Sequence, residues 1–346
     1  MKQIHTPFSR LSKTRKNKHY PCLNSENRDS ITEFIQFVHN NESSFEDVKD
    51  PLGGSNDVII GKFDRYGIPI NTVINLESGL IRSNPYYTDQ AIKKFYADFY
   101  RNIYTKSFVS SVAPKSELME KQISKGIAIL KKTTGKLKDH ANILDYGCGI
   151  GATLIPFKEA GHTVTGIDYG EEFLDYGRKM DLNLISGGIE ELEHRERYDL
   201  IILSHVLEHI KEPIAFLQSL KKKLTTNGMI YIEVPGIKWI QRVWNHDILL
   251  HIQNAHIWYF TRQTLEILLA KAGLSVINRS GDIAFIVENS EVQSLELDPD
   301  HAKKCLRYLK INESMHFCGF GKNRITRFLT KCILKIYNYL FFDEKK

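Results

Sequence analysis

The chain has 346 residues, of which 42% are hydrophobic and 25% charged, and a net charge of +6. It is longer than a usual single domain and ordinary in composition, which excludes a low-complexity chain and allows a sizeable core. Five cysteines, Cys22, Cys148, Cys305, Cys318 and Cys332, are scattered and form no Cys-x-x-Cys pair, which excludes a disulfide framework and points to a reducing compartment.

Residues 1–28 read as a basic, flexible tail, because Lys2, Arg10, Lys13, Arg15, Lys16 and Lys18 precede the first acidic residue, Glu26. Attraction to phosphate-bearing partners is the second reading of that charge. The tail lacks the apolar centre of a secretory signal, so a cytoplasmic protein is expected. Residues 29–114 read as an N-terminal extension. It holds a helix over Ile31–His39 capped by Asp29 or Ser30, then strands over Val58–Lys62 and Pro69–Leu76 around Tyr66-Gly67. A helix from Thr88 to Tyr104 sets Phe95, Tyr96, Phe99, Tyr100 and Tyr104 on one face, for core packing.

A long helix over Ser116–Lys138 leads into Ile143-Leu-Asp-Tyr-Gly-Cys-Gly-Ile-Gly-Ala-Thr-Leu154, read as strand, glycine turn and helix. Glycine lets the backbone take positive φ and a ligand lie against it. Gly147, Gly149 and Ala152 also satisfy the dinucleotide fingerprint, but Asp145 would repel a pyrophosphate and welcome a cation. Strand and helix then alternate, as in a parallel sheet with ligands at the strand ends. The second strand, Thr163–Ile167, ends at Asp168, a carboxylate suited to a ribose diol. Further strands are expected at Asn183–Ile185, Asp199–Leu203 and Met229–Val234, with a terminal pair at Leu274–Asn278 and Ile283–Val287. The long connection Gly236–Thr264 carries Trp239, Trp244, Trp258, His246, His251 and His256, and is expected to build a substrate pocket.

Asp145 with Gly147, Gly149 and Gly151 resembles motif I of the class I S-adenosylmethionine-dependent methyltransferases, and Tyr198–His209 resembles the segment after the fourth strand in small-molecule members. The resemblance implies an α/β fold: a Rossmann-like seven-stranded methyltransferase sheet over residues 115–291, its last strand antiparallel, with an N-terminal extension and a helical C-terminal addition at 292–346. It implies S-adenosylmethionine as cofactor, held by Asp145, Gly147, Gly149, Gly151, Asp168 and Ser204. Gly188 stands where the family often has an acidic residue near the adenine, leaving that recognition to Gly188 and the backbone around Ile189.

The N-terminal extension resembles the region before the methyltransferase domain in bacterial enzymes that methylate sugars or surface-polysaccharide units. Many of those bind zinc through two cysteine pairs, whose places here hold Cys22 with Ser25 and Asn75 with Ser78. A metal-free remnant stabilised by apolar contacts is expected. Asn254–Thr261 resembles the Tyr-His-Glu-His segment of sugar C-methyltransferases, with only the last histidine kept, as His256.

The expected reaction is methyl transfer to a small polar acceptor, a sugar or glycan hydroxyl in cell-envelope polysaccharide synthesis, with His256 as the candidate base and His205, nearest the pocket, orienting cofactor or substrate. Alternatives are a quinone or lipid methyltransferase at the membrane surface and a non-catalytic scaffold. The histidines at a spacing of five fit no helical ligand pair, and neither metal nor nucleic acid is expected as a partner. A final amphipathic helix over 322–342 is read as docking on protein or, in a sharper form, lying on the inner face of the membrane.

Overall fold

A computed structural model describes residues 2–3, 8, 11, 25–41, 44–105, 112–193, 195–281, 283–291 and 294–317. The expected helix over 322–342 and most of the basic tail lie outside these residues. In chain order the first elements are β1 (Lys2–Gln3), α1 (Ser25–Asn40), β2 (Phe45–Glu46), β3 (Asp57–Phe63), β4 (Pro69–Asn75), β5 (Ile81–Ser83), β6 (Tyr86–Tyr87) and α2 (Asp89–Lys94). There follow α3 (Val112–Thr133), β7 (Asn142–Tyr146), α4 (Ile155–Glu159), β8 (Thr163–Asp168), α5 (Glu171–Arg178), β9 (Leu184–Ser186), β10 (Tyr198–Ser204), α6 (Pro213–Lys221) and β11 (Leu224–Glu233). The last are α7 (Trp239–Arg242), α8 (Ile248–His251), β12 (Trp258–Tyr259), α9 (Arg262–Lys271), β13 (Leu274–Ser280), β14 (Ala284–Asn289) and α10 (His301–Phe317). No helix among the described residues is long and apolar enough to cross a membrane.

Two compact units divide the chain. One comprises Tyr100–Pro235 and Leu265–Leu295, the other Met1–Phe99, Gly236–Thr264 and Glu296–Lys346. The first is built on a seven-stranded sheet in the order β13-β14-β11-β10-β7-β8-β9. Its strands from β11 to β9 run parallel, and β14 pairs antiparallel with both β11 and β13. This is the expected Rossmann-like methyltransferase arrangement. The central strand β10 reads Tyr-Asp-Leu-Ile-Ile-Leu-Ser, buried along all but its last residue, as a strand covered on both faces must be. Ile143, Phe157, Leu174, Leu200, Ile202 and Ile286 join the core around it. The long helix α3 ends five residues earlier than expected, at Thr133, whose hydroxyl is bonded to the carbonyls of Ile129 and Leu130, and Gly135 then turns left-handed at φ +81°.

In the other unit β1-β3-β4-β5-β12 form one sheet. Its outer strand β12 comes from the long connection 236–264 and pairs antiparallel with β5, Trp258 opposite Arg82 and Tyr259 opposite Ile81. The connection therefore packs with the N-terminal elements, a difference from the expected boundaries 29–114 and 115–291. Backbone pairing of β12 with β5 drives it, since an unpaired strand edge leaves amides and carbonyls unsatisfied. The helix expected over 88–104 holds its α form only through Lys94, and wider π turns follow over Phe95–Phe99 and Arg101–Thr105. A wider turn brings residues four apart nearer to eclipse. Phe95 and Phe99 both pack on Phe34 of α1, with ring centroids 4.9 and 5.2 Å away, as core residues.

The turn that holds Asn75 and Ser78 is tied down by polar contacts. Asn75 donates to Asp57 at 3.0 Å and accepts the amides of Glu77 and Ser78 at 2.9 and 3.0 Å. Ser78 donates to the buried Asp50 at 2.5 Å, and Arg82 forks onto Asp57 at 2.9 and 2.5 Å. These contacts make a hydrogen-bonded knot around the turn after β4.

Candidate active site

The site grows from the carboxyl ends of β7, β8 and β10. After Tyr146 the chain turns through Gly147, Gly149 and Gly151 at φ +77°, +56° and +72°, a region that L side chains rarely adopt. The turn's amides are pinned from below. Gly147 and Cys148 donate to the Ile167 carbonyl at 2.8 and 3.1 Å, and Gly149 donates to Asp168 Oδ2 at 2.9 Å. A helix was expected next; α4 is a five-residue piece behind a tight turn, and Gln122 Oε1 accepts the Ala152 amide at 3.0 Å. A pyrophosphate would need that amide free. The dinucleotide alternative loses its anchor.

Beneath the turn lies Asp145, 3% exposed. Burial pushes its pKa up to about 7, against the attraction of Lys125 and with the repulsion of Asp168. Lys125 reaches in from α3, donating to Ser204 Oγ at 2.6 Å and pairing with Glu233 at 3.2 Å. Burial acts upward on Glu233 as well, but Lys125 and then His205 outweigh it and hold the carboxyl below its usual range. Lys125 and Gln122 carried no motif in the sequence. Their only signal is a three-residue spacing on the helix that enters the glycine turn, and Gly126 beside them lets α3 come close, since a Cβ there would meet the Thr153 carbonyl at 2.2 Å.

Asp168 ends β8 as expected. Its carboxylate accepts the amides of Gly149 and Gly170 at 2.9 and 2.7 Å and, with four acceptor positions, keeps capacity for a diol. Tyr169 beside it is 70% exposed. At the next edge Gly188 is buried and extended, and the Ile189 amide donates to the Tyr146 hydroxyl. The backbone at Ile189 is thus engaged within the protein, and the exposed face at this edge belongs to Tyr169. On the other side of β7, His205 stands in the left-handed region at φ +59°, its Nδ1 3.4 Å from Glu208 Oε1. Glu208 is 1% exposed.

Asp145, Gly147, Gly149, Gly151, Asp168, Gly188, Ile189, Ser204 and His205 therefore share one unit, along one edge of its sheet. His256 belongs to the other unit, 6% exposed, with its carbonyl accepting Ser83 Oγ at 2.8 Å and its ring centroid 6.0 Å from that of Tyr259. His246 and His251 are buried there too. Residues 117–278 match the family model of a methyltransferase domain. Over those residues the chain carries a methyltransferase domain.

This methyltransferase domain has curated relatives. Over 109 residues the chain is 35% identical to the ubiquinone biosynthesis O-methyltransferase of Rickettsia typhi, covering 28% of this chain and 44% of that protein. Over 101 residues it is 31% identical to the enzyme of the same name from Hydrogenovibrio crunogenus, covering 27% and 42%. The chain thus spans less than half the length of either. Among solved structures it is similar to the magnesium protoporphyrin IX methyltransferase of Synechocystis PCC 6803 with bound SAH, at 17% identity and a TM-score of 0.41, covering 57% of this chain and 98% of that one.

The methyltransferase pocket fits the cofactor on its own geometry. A Cβ on Gly149 would meet nothing closer than Gln122 Nε2 at 3.4 Å, so the turn leaves room above it. The donor set matches a ligand with an amino group, a carboxylate and a ribose: an acid under the turn, a lysine beside it and a second acid at the end of β8.

Proposed function

We propose that the protein is an O-methyltransferase acting on a hydroxyl of a small acceptor. S-adenosylmethionine, when bound, supplies an electrophilic methyl carbon. Asp145 would hold its ammonium group, Lys125 its carboxylate and Asp168 its ribose hydroxyls. His205 takes the acceptor proton at Nε2, because its Nδ1 faces the buried Glu208 at 3.4 Å. His256 is the second candidate base. The observation that carries the reading is the joint placement of Asp145, the glycine turn, Asp168 and Lys125 within a matched methyltransferase domain.

Two acceptor classes divide the proposal. A sugar or glycan hydroxyl in polysaccharide synthesis is supported by the N-terminal extension and by Asn254–Thr261. The ring hydroxyl of a quinone precursor is supported by the names of the curated relatives. Acidity favours the second class, since a phenolic hydroxyl, with a pKa near 10, gives up its proton more readily than a sugar hydroxyl does. The test is calorimetric titration of the protein and its Asp168→Ala variant with S-adenosylmethionine, followed by radiolabelled methyl transfer to catechols and to nucleotide sugars. Binding weakened by the variant and label on one acceptor class support the reading. A protein that binds no cofactor is a scaffold, and the proposal falls.

A further inference from the structure

Arg65 lies in the turn between β3 and β4, tied down by its own amide, which donates to the Ile252 carbonyl at 3.0 Å. The residue is only 8% exposed. Its guanidinium lies over the ring of Trp244 at 5.1 Å and of Tyr66 at 5.7 Å. Yet Nε and Nη2, the two donors of one fork edge, are buried and meet no hydrogen-bond partner among the described residues. Stacking satisfies the faces of a guanidinium and leaves its in-plane donors unmet.

The neighbouring acid does not supply the missing acceptor. Asp64 turns away, accepting the amides of Tyr66, Ile68 and Asn254 at 2.8, 2.9 and 3.2 Å. A second unmet polar atom is His251 Nε2, also buried without a hydrogen bond. Burial first, and then the charge of Arg65, push the His251 pKa down to about 3, so the ring is neutral and can donate or accept. Directly after Trp244 the backbone runs left-handed at Asn245 and His246, φ +48° and +69°, a costly state for residues with a Cβ. Buried donors left unmet are costly, and a ligand whose oxygens accept from them removes that cost.

We propose that Arg65 is the receptor for a terminal carboxylate or phosphate of a small molecule, gripped in the plane of the guanidinium by Nε and Nη2 while Trp244 and Tyr66 hold its faces. Two parallel N–H donors match two oxygens of either group, a fit that a lysine cannot make. The proposal stands independently of the methyl-transfer reading.

The full-length protein, Arg65→Met and Arg65→Lys would each be titrated by calorimetry with inorganic phosphate, with acetate and with S-adenosylmethionine, the anions at constant ionic strength against chloride. The expected result is binding of phosphate or acetate to the wild type, the tighter of the two naming the group. Affinity drops at least tenfold in both variants, and cofactor affinity is unchanged. Absence of binding by either anion, or a drop of less than tenfold, overturns the proposal. Should Arg65→Met fail to fold, Arg65→Lys decides by the same threshold. Anion binding without cofactor binding would sink the methyl-transfer reading and leave the receptor standing; the reverse would sink the receptor alone.

Discussion

Asp145 shows how one residue couples folding to ligand binding. Its pKa in the folded protein is raised to about 7 from 3.8, so the folded state holds a proton that the unfolded state has lost across that window. Stability from this group is complete below pH 3.8 and lost as pH rises through about 7, up to roughly 4 kcal/mol for a shift of that size. Denaturation by urea at pH 5 and pH 8 should show the loss, and Asp145→Asn should flatten it. A cationic ligand prefers the ionised acid, so cofactor affinity should rise between pH 6 and 8 in the wild type and stay level in the variant; an unchanged slope would remove Asp145 from the site. His205 is expected to act on rate: His205→Gln should lower kcat by about 100- to 10,000-fold with cofactor affinity intact. Equal loss from His256→Gln, with His205→Gln active, would move the base to His256. The chemical type of these residues was readable in the chain because each acid closes a strand beside a glycine turn. Lys125 was not readable, since nothing local marks which lysine of a basic helix turns inward.

Elements were mostly legible where burial imposes a period. The strands from β7 to β11 appear within a few residues of expectation because continuous apolar runs bounded by glycine and proline can form little else. The stretch after α2 was misjudged, since packing of Phe95 and Phe99 on Phe34 overrides the α repeat. Gly126 separates the two kinds of argument. Helix propensity alone says that Gly126→Ala in α3 gains about 1 kcal/mol. The structure says the opposite, because the new Cβ would meet the Thr153 carbonyl, backbone of the turn that carries the site. A loss of about 1–3 kcal/mol in chemical denaturation, with weaker cofactor binding, is expected. A more stable variant would show that α3 does not sit so close.

At the scale of the whole molecule, the N-terminal unit is assembled from three separated stretches. Its sheet takes β12 from residues beyond 250, and its core takes Ile237, Leu249, Tyr308 and Leu309 alongside Val58, Ile74 and Ile81. A fragment of residues 1–99 should therefore not fold alone, which circular dichroism and its melting curve would check; a cooperative melt would contradict the assembly. Sequence by itself determined the strands of the methyltransferase domain and the acids and glycines at their ends. These follow from local rules: apolar period, the φ demand of a tight turn, and a charge placed at a strand end. Tertiary structure alone decided where 236–264 belongs, that Lys125 turns toward Ser204 and Glu233, what ties Asn75 and Ser78 down and that Arg65 is buried with a donor edge unmet. Those outcomes depend on pairing and burial between residues up to two hundred positions apart, and no local pattern encodes a partner at that distance.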